Sequence, residues 1–233
     1  MYSAGVDVHG DAGSAAIQLL TGIQLSTGKK SVRGQWEENV ALREYGRFAG
    51  EFLLHPVLVG AIAPSSRELA LRMVRWIDWE SACTVVEYGP GTGAFTEQIL
   101  QCKRPDTAFF AVELNSQFAA ALAGRFPDVT ILQDSVANIE ALCQQQGVSE
   151  VDAIVCGLPW AAFSDREQSA YLDAMMRVLK PGGHFATFAY LPGMVLPAAR
   201  RFRGKLRSFF GEVRVSPTVW MNIPPAFVYQ CRR

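Results

Sequence analysis

The run Glu87-Tyr88-Gly89-Pro90-Gly91-Thr92-Gly93 sets an acid directly before three glycines spaced two apart. Val85 and Val86 precede it, and Ala94 to Leu100 follows with a helical pattern. That order predicts a strand, a tight turn and a helix N-terminus. Without Cβ atoms the turn lets a ligand approach the main chain closely, and the helix start offers N–H groups that lack intrahelical partners. The chemistry that fits is capture of a nucleoside. A second acid points the same way. Ala108-Phe109-Phe110-Ala111-Val112-Glu113 is a short apolar run closed by a carboxylate, about 20 residues past the glycines, where an acid can accept hydrogen bonds from ribose hydroxyls. A nicotinamide site would carry G-x-G-x-x-G, and Ala94 stands where its third glycine would be.

Ligands of open α/β sheets lie outside the carboxyl ends of the strands. Four such tips are expected: Glu87 to Gly93, Glu113-Leu114-Asn115, Asp134-Ser135 and Gly157-Leu158-Pro159-Trp160. Asp134 is placed either to accept from an adenine amine or to N-cap the next helix, and Ser135 suits either role. Another segment interleaves Arg200, Arg201, Arg203, Lys205 and Arg207 with Phe202, Leu206, Phe209 and Phe210 at helical spacing. It reads as a contact with an anionic lipid surface, as a clamp on RNA phosphates, or as a solvated helix with its aromatics in the core; Gly204 weakens it as a helix. His9, His55 and His184 are isolated, and no His/Cys/Asp spacing suggests a metal. G-x-S-x-G and the P-loop lysine are both missing, so hydrolase and kinase chemistry are not expected.

The elements that must position these tips alternate. Strands are expected at 84–88, 108–113, 129–132, 151–157 and 184–190, with helices at 94–102, 115–125, 136–146 and 165–179. This alternation predicts an α/β fold with a doubly wound, mostly parallel sheet. Two further strands, near 212–220 and 226–231, follow one another without a crossover helix and would close the sheet as an antiparallel hairpin, with Asn222-Ile223-Pro224-Pro225 as a stiff turn. Upstream, residues 1–35 are rich in glycine, serine and small residues and are expected to be flexible. Residues 36–83 form a helical extension: Gln35 to Val59 is amphipathic, fitting either the core or a lipid interface, and Ser65 or Ser66 would N-cap a helix over 67–76. Residues 84–233 form the ligand-binding domain.

Composition narrows the class. The chain has 233 residues, 49% hydrophobic, and zero formal net charge, so it can bury a sizeable core and is not as a whole a polyanion binder. Its five cysteines are odd in number, scattered and without C-x-x-C, which suggests reduced thiols in the cytoplasm. The start lacks the basic and apolar regions of a signal peptide, and no apolar run reaches the ~18–20 residues that span a bilayer.

The glycines together with Glu87 resemble motif I of class I S-adenosylmethionine (SAM) methyltransferases, with Glu87 and Glu113 bracketing the cofactor. Gly157-Leu158-Pro159-Trp160 resembles the Asn-Leu-Pro-Tyr tip of rRNA adenine dimethylases, but glycine replaces the residue whose oxygen accepts from a planar amine, which disfavours adenine and suits an aliphatic amine. Four stretches resemble the soluble bacterial phospholipid N-methyltransferases that convert phosphatidylethanolamine to phosphatidylcholine. They are Gly60-Ala61-Ile62-Ala63-Pro64-Ser65-Ser66, Glu87 to Gly93, Gly157-Leu158-Pro159 and Asn222-Ile223-Pro224-Pro225-Ala226; the similarity covers about residues 45–233. The resemblance implies a Rossmann-like, seven-stranded sheet and SAM as cofactor, with S-adenosylhomocysteine (SAH) as product. It sets Ser65 and Ser66 beside the cofactor, Gly89, Gly91 and Gly93 beneath it, and Glu113 on its ribose, with Leu114, Asp134, Ser135 and Gly157 completing that site. The acceptor would meet Tyr45, Leu158, Pro159, Trp160 and Asn222, and Tyr190 would position the amine or take its proton. Tyr190 and Trp160 are also departures from the family, which carries Tyr-Gly and an aliphatic residue at those places. The implied enzyme is a cytoplasmic monomer peripheral on the inner face of the membrane, needing neither metal nor nucleic acid; other readings of the acceptor are ornithine lipid, a small metabolite or rRNA adenine.

Overall fold

The computed structural model describes residues 65–233. The expected flexible segment 1–35, the amphipathic stretch 35–59, Tyr45 and the Gly60 to Pro64 part of the Pro-Ser-Ser element lie outside the described residues.

Seven strands form one sheet in the order β3-β2-β1-β4-β5-β7-β6. They are β1 (Thr84–Tyr88), β2 (Ala108–Glu113), β3 (Thr130–Gln133), β4 (Val151–Cys156), β5 (Leu179–Tyr190), β6 (Glu212–Val215) and β7 (Ala226–Arg232). β1 to β5 pair in parallel, and β7 runs antiparallel to both β5 and β6. This is the expected Rossmann-like α/β architecture, closed by the antiparallel hairpin. The central strands bury both faces, which is why β4 reads Val-Asp-Ala-Ile-Val-Cys with every residue buried rather than alternating.

Six α-helices accompany the strands among the described residues: α1 (Arg67–Val74), α2 (Ala94–Cys102), α3 (Ser116–Arg125), α4 (Ile139–Gln145), α5 (Asp165–Val178) and α6 (Pro197–Phe209). One apolar cluster packs α4, α5 and α6 on the sheet through Ile139, Leu172, Met175, Phe202 and Leu206. The other packs α1 and α2 on the opposite face through Leu69, Met73, Phe95 and Ile99. Local chemistry sets the ends. Ser66 accepts from Leu69 N at 3.2 Å to cap α1, and Ser164 with Glu167 forms a capping box on α5.

Boundaries differ from the expectations where local signals compete. The expected helix over 136–146 divides into a 3₁₀ turn (Val136–Asn138) and α4. β6 stops at Val215, and only the Val219–Ala226 bridge continues its pairing beyond Pro217. β5 begins five residues early, through a register irregularity against β4. The 200–210 segment is helical despite Gly204, because Phe202 and Leu206 are drawn into the core.

At the edge of the sheet away from the strand tips, Asp152 fastens β1 to β4. Its Oδ2 accepts from Cys83 N at 2.9 Å and Thr84 N at 2.7 Å, and its Oδ1 pairs with Lys180. Asp152→Ala removes the acceptor of the Cys83 and Thr84 N–H groups and should cost about 1–3 kcal/mol in urea unfolding; an unchanged midpoint would show that the clamp is dispensable.

Candidate active site

The three motif glycines all have left-handed backbone, with φ of 61°, 55° and 83° at Gly89, Gly91 and Gly93. Side chains rarely adopt these values, and at two of the positions neighbouring side chains also crowd the space a Cβ would take. A Cβ on Gly89 would lie 2.7 Å from the Leu158 side chain, and one on Gly93 2.6 Å from the Phe126 ring. The turn therefore runs tightly from the end of β1 into α2, with Gly93 as the N-cap residue. On its other side Gly157 follows β4. Gly157 N donates to Tyr88 O at 2.7 Å, and a Cβ at 157 would fall 2.4 Å from Gly89 O. The two tips are in contact, so the direction an Asn or Asp side chain would take from 157 is filled by main chain.

Two carboxylates border this cradle. Glu87 is fully buried; its Oε2 accepts from Thr96 Oγ1 at 2.7 Å, while Oε1 has no partner. Burial, opposed by the Thr96 bond, pushes its pKa up to about 8, and the neighbouring Glu113 adds to the rise. Glu113 closes β2. Its Oε2 accepts from Gly91 N at 3.2 Å and its Oε1 from Asn115 N at 2.9 Å. Each oxygen keeps a further lone pair. Burial raises the Glu113 pKa, and the main-chain donors oppose that shift. An orphaned acid oxygen, a main-chain cradle that side chains would fill and an acceptor carboxylate at the next strand tip together fit a nucleoside cofactor bearing a positive charge.

A cavity of about 240 Å³ opens between the starts of α1 and α2, lined by Ser65, Arg67, Thr92, Glu97, Gln98 and Arg125 among others. The Gln98 side-chain oxygen is buried there without a partner. Ser66, the cap of α1, lies beside Ser65. Leu114 is half-buried at the tip of β2, and Leu158 and Pro159 are half-buried beside the glycine turn. Asp134 uses Oδ1 to accept from Ser135 N at 2.6 Å and Asn138 Nδ2 at 2.8 Å, and Ser135 Oγ accepts from Ala137 N. Ser135 thus caps the 3₁₀ turn, one of its two expected roles, whereas Asp134 precedes the cap and holds the cap residue's own N–H and the Asn138 amide. Tyr190 ends β5, half-buried, with its ring edge-on to Phe188 at 5.2 Å. Burial raises its pKa, which works against a role as proton acceptor through the phenolate.

Two expectations are corrected. Trp160 does not face an acceptor. It is buried, stacked on Phe202 at 4.4 Å, with its indole N–H donating to Thr187 Oγ1 at 3.1 Å. Asn222 is buried, with both ends of its amide engaged by the chain itself. Its Oδ1 accepts from Ser66 N at 2.9 Å and its Nδ2 donates to Pro224 O at 2.6 Å, so it fastens the β6–β7 connection to the start of α1. Of the readings left open for the 200–210 segment, its apolar residues take the core one: Phe202 and Leu206 of α6, and Phe210 just after it, are buried. Of the cations, Arg200, Arg201, Arg203 and Arg207 are exposed, while Lys205 is bound to Ser169 and Asp165.

The sequence reading missed Thr96, Gln98 and Thr187. Each is a polar residue on an otherwise apolar face of α2 or β5, a pattern that could have marked them. Among the described residues no group of three or more His, Cys, Asp or Glu gathers as metal ligands, and no helix is long and apolar enough to cross a membrane.

The family model described as a methyltransferase domain matches residues 85–183. The chain is 32% identical over 194 residues to an ornithine lipid N-methyltransferase of Singulisphaera acidiphila, covering 82% of this chain and 97% of that protein. A ribosomal RNA small subunit methyltransferase A of Leptothrix cholodnii is 31% identical over 90 residues, covering 38% of this chain and 32% of that one. Among solved structures, a SAM-dependent O-methyltransferase of Thermotoga maritima aligns with a TM-score of 0.53 at 18% identity, over 77% of this chain and 71% of that one, a likeness of fold.

Because the folded-state pKa of Glu87, about 8, lies above its ordinary 4.5, the neutral acid favours folding. That contribution is complete below pH 4.5 and is lost as pH rises through about 8. Glu87→Gln should abolish this loss, so the variant gains Tm relative to the wild type across that window in a pH series of thermal melts. Parallel profiles would show that Glu87 is ionised in the folded protein.

Proposed function

The chain belongs to the SAM-dependent methyltransferases, in the family of the lipid N-methyltransferase it matches nearly end to end, and from that premise we propose that it methylates the primary amine of a membrane-lipid head group. The observation that carries this is the 32% identity across 97% of the ornithine lipid enzyme. Gly157 supports it. Enzymes acting on planar amines need a polar acceptor at this tip, and here the close approach of Gly89 O leaves room only for glycine. An aliphatic amine on a flexible chain needs less planar recognition. Two head groups fit: that of ornithine lipid, favoured by the relative, and phosphatidylethanolamine, favoured by the Pro-Ser-Ser, Gly-Leu-Pro and Asn-x-Pro-Pro-Ala resemblance.

When bound, SAM supplies a methyl group on a sulfonium, whose charge is relieved as a neutral amine takes the methyl. The glycine turn would hold the adenosine by main-chain contact, with Glu113 accepting from ribose hydroxyls and Glu87, held towards its neutral form by burial, lying below it. Asp134 and Ser135 would border the adenine, and Ser65 and Ser66 the cofactor's other end. Leu158, Pro159 and Tyr190 would line the approach of the amine. Tyr190 stays neutral because burial raises its pKa, so its oxygen orients the amine by accepting a hydrogen bond and does not serve as base. Catalysis then rests on alignment and exclusion of water. The exposed arginines of α6 would draw the enzyme to an anionic membrane at its cytoplasmic face, each worth ~1 kcal/mol.

Labelled SAM offered to vesicles of phosphatidylethanolamine, vesicles of ornithine lipid and ribosomal RNA tests the proposal. Methylated lipid amine is expected, and the ratio between the two lipids ranks the head groups; label in RNA alone would overturn it. In the productive assay Tyr190→Phe should lower kcat about tenfold, as loss of one hydrogen bond of ~1.4 kcal/mol would, without moving the pH profile. Full turnover would remove the orienting role.

A further inference from the structure

The β6–β7 connection is both apolar and firmly held. Val219 is buried and bridged to Ala226, and Asn222 is buried between Ser66 and Pro224. Between these anchors Trp220, Met221 and Ile223 stand 69%, 80% and 71% exposed. Pro225 O accepts from Leu191 N at 2.8 Å, which joins this tip to the turn after β5, where Leu191 is also exposed and Val195 is 72% exposed. Five of the seven exposed large apolar residues among those described therefore belong to two connected turns. Both turns lie at the carboxyl-end edge of the sheet, the edge that bears the glycine cradle. Scattered exposed apolar residues are ordinary; a cluster of this kind marks an interaction surface.

The composition and its surroundings favour lipid. Tryptophan has an apolar body and a polar N–H, which suits the boundary between head groups and acyl chains. α6 starts two residues after Val195 and contains no acidic residue, and it exposes Arg200, Arg203 and Arg207. An apolar tip beside a cationic helix complements an anionic bilayer. Because the tip is already held by Asn222, little conformational freedom is lost when it docks.

We infer that Trp220, Met221 and Ile223, with Leu191 and Val195, form a wedge that enters an anionic bilayer and sets the mouth of the site against the head groups. The inference rests on the reading of the acceptor as a membrane lipid: the head group must reach the cradle while its acyl chains remain in the bilayer. It also moves the apolar membrane contact from α6, whose aromatics are in the core, to the β6–β7 tip.

The test uses the full chain and vesicles of phosphatidylethanolamine with phosphatidylglycerol. A variant combining Trp220→Ser, Met221→Ser and Ile223→Ser should bind vesicles at least tenfold more weakly while SAH affinity is kept, and the set Trp220→Phe, Met221→Leu and Ile223→Leu should bind as the wild type does. Lipids brominated on their acyl chains should quench wild-type tryptophan emission, and Trp220→Phe should remove that quenching. Unchanged vesicle affinity in the serine variant, or equal quenching with and without Trp220, would overturn the wedge. So would a wild-type dimer that the serine variant dissolves without lipid quenching, since the tip would then seat a second copy. If the serine variant fails to bind SAH, the Trp220→Phe comparison decides alone. Vesicle docking without any lipid methylation would refute the acceptor reading and leave the wedge; methylation of bilayer lipid by the serine variant at the wild-type rate would refute the wedge and leave the acceptor.

Discussion

The tips of β1 and β4 meet with main chain against main chain, and the rest of the site is arranged around that contact. Gly157 N reaches Tyr88 O, and no Cβ fits between residue 157 and Gly89 O. With β1 turned so sharply, Glu87 is drawn beneath the glycines and out of water, and α2 starts at Gly93, close against Leu122 and Phe126. The proposed aliphatic-amine acceptor rests on the same closeness. Enzymes that grip a planar amine at this tip need a side chain there, and the main chain of Gly89 occupies the place it would take.

Electrostatics follows from this geometry. Glu87 and Glu113 are both sheltered, and they accept from a hydroxyl and from main-chain N–H groups rather than from a basic side chain. Burying a carboxylate without a compensating charge is costly, so the acid is driven towards its neutral form. A ligand with hydroxyls and positive charge relieves that cost. The site is thus preorganised at the expense of local stability, as functional sites often are.

Much of this was legible in the sequence because the governing interactions are local. Three glycines that need left-handed backbone, an acid ahead of them and a carboxylate closing the next apolar run all fall in the one stretch from Glu87 to Glu113, and buried parallel strands read as continuous apolar runs. What was misread depends on distant partners. Trp160 at a strand tip looks like a substrate platform until Phe202 stacks on it, and Asn222 looks like a polar ligand until Ser66, 156 residues earlier, proves to be its partner. The basic segment shows a similar limit. Its helical period was visible, but period alone does not say whether an apolar face meets the core or a membrane. Gly157 was read as a missing acceptor, and the structure supplies the steric reason for it.

The central claim is that the glycine turn and Glu113 together bind the cofactor. Calorimetric titration of SAH into the full chain tests it most directly, comparing the wild type with Glu113→Ala. The account predicts saturable one-to-one binding by the wild type and affinity at least tenfold lower in the variant, about 1.4 kcal/mol or more. Equal affinity in the two proteins, with both folded, would contradict it and place the nucleoside elsewhere.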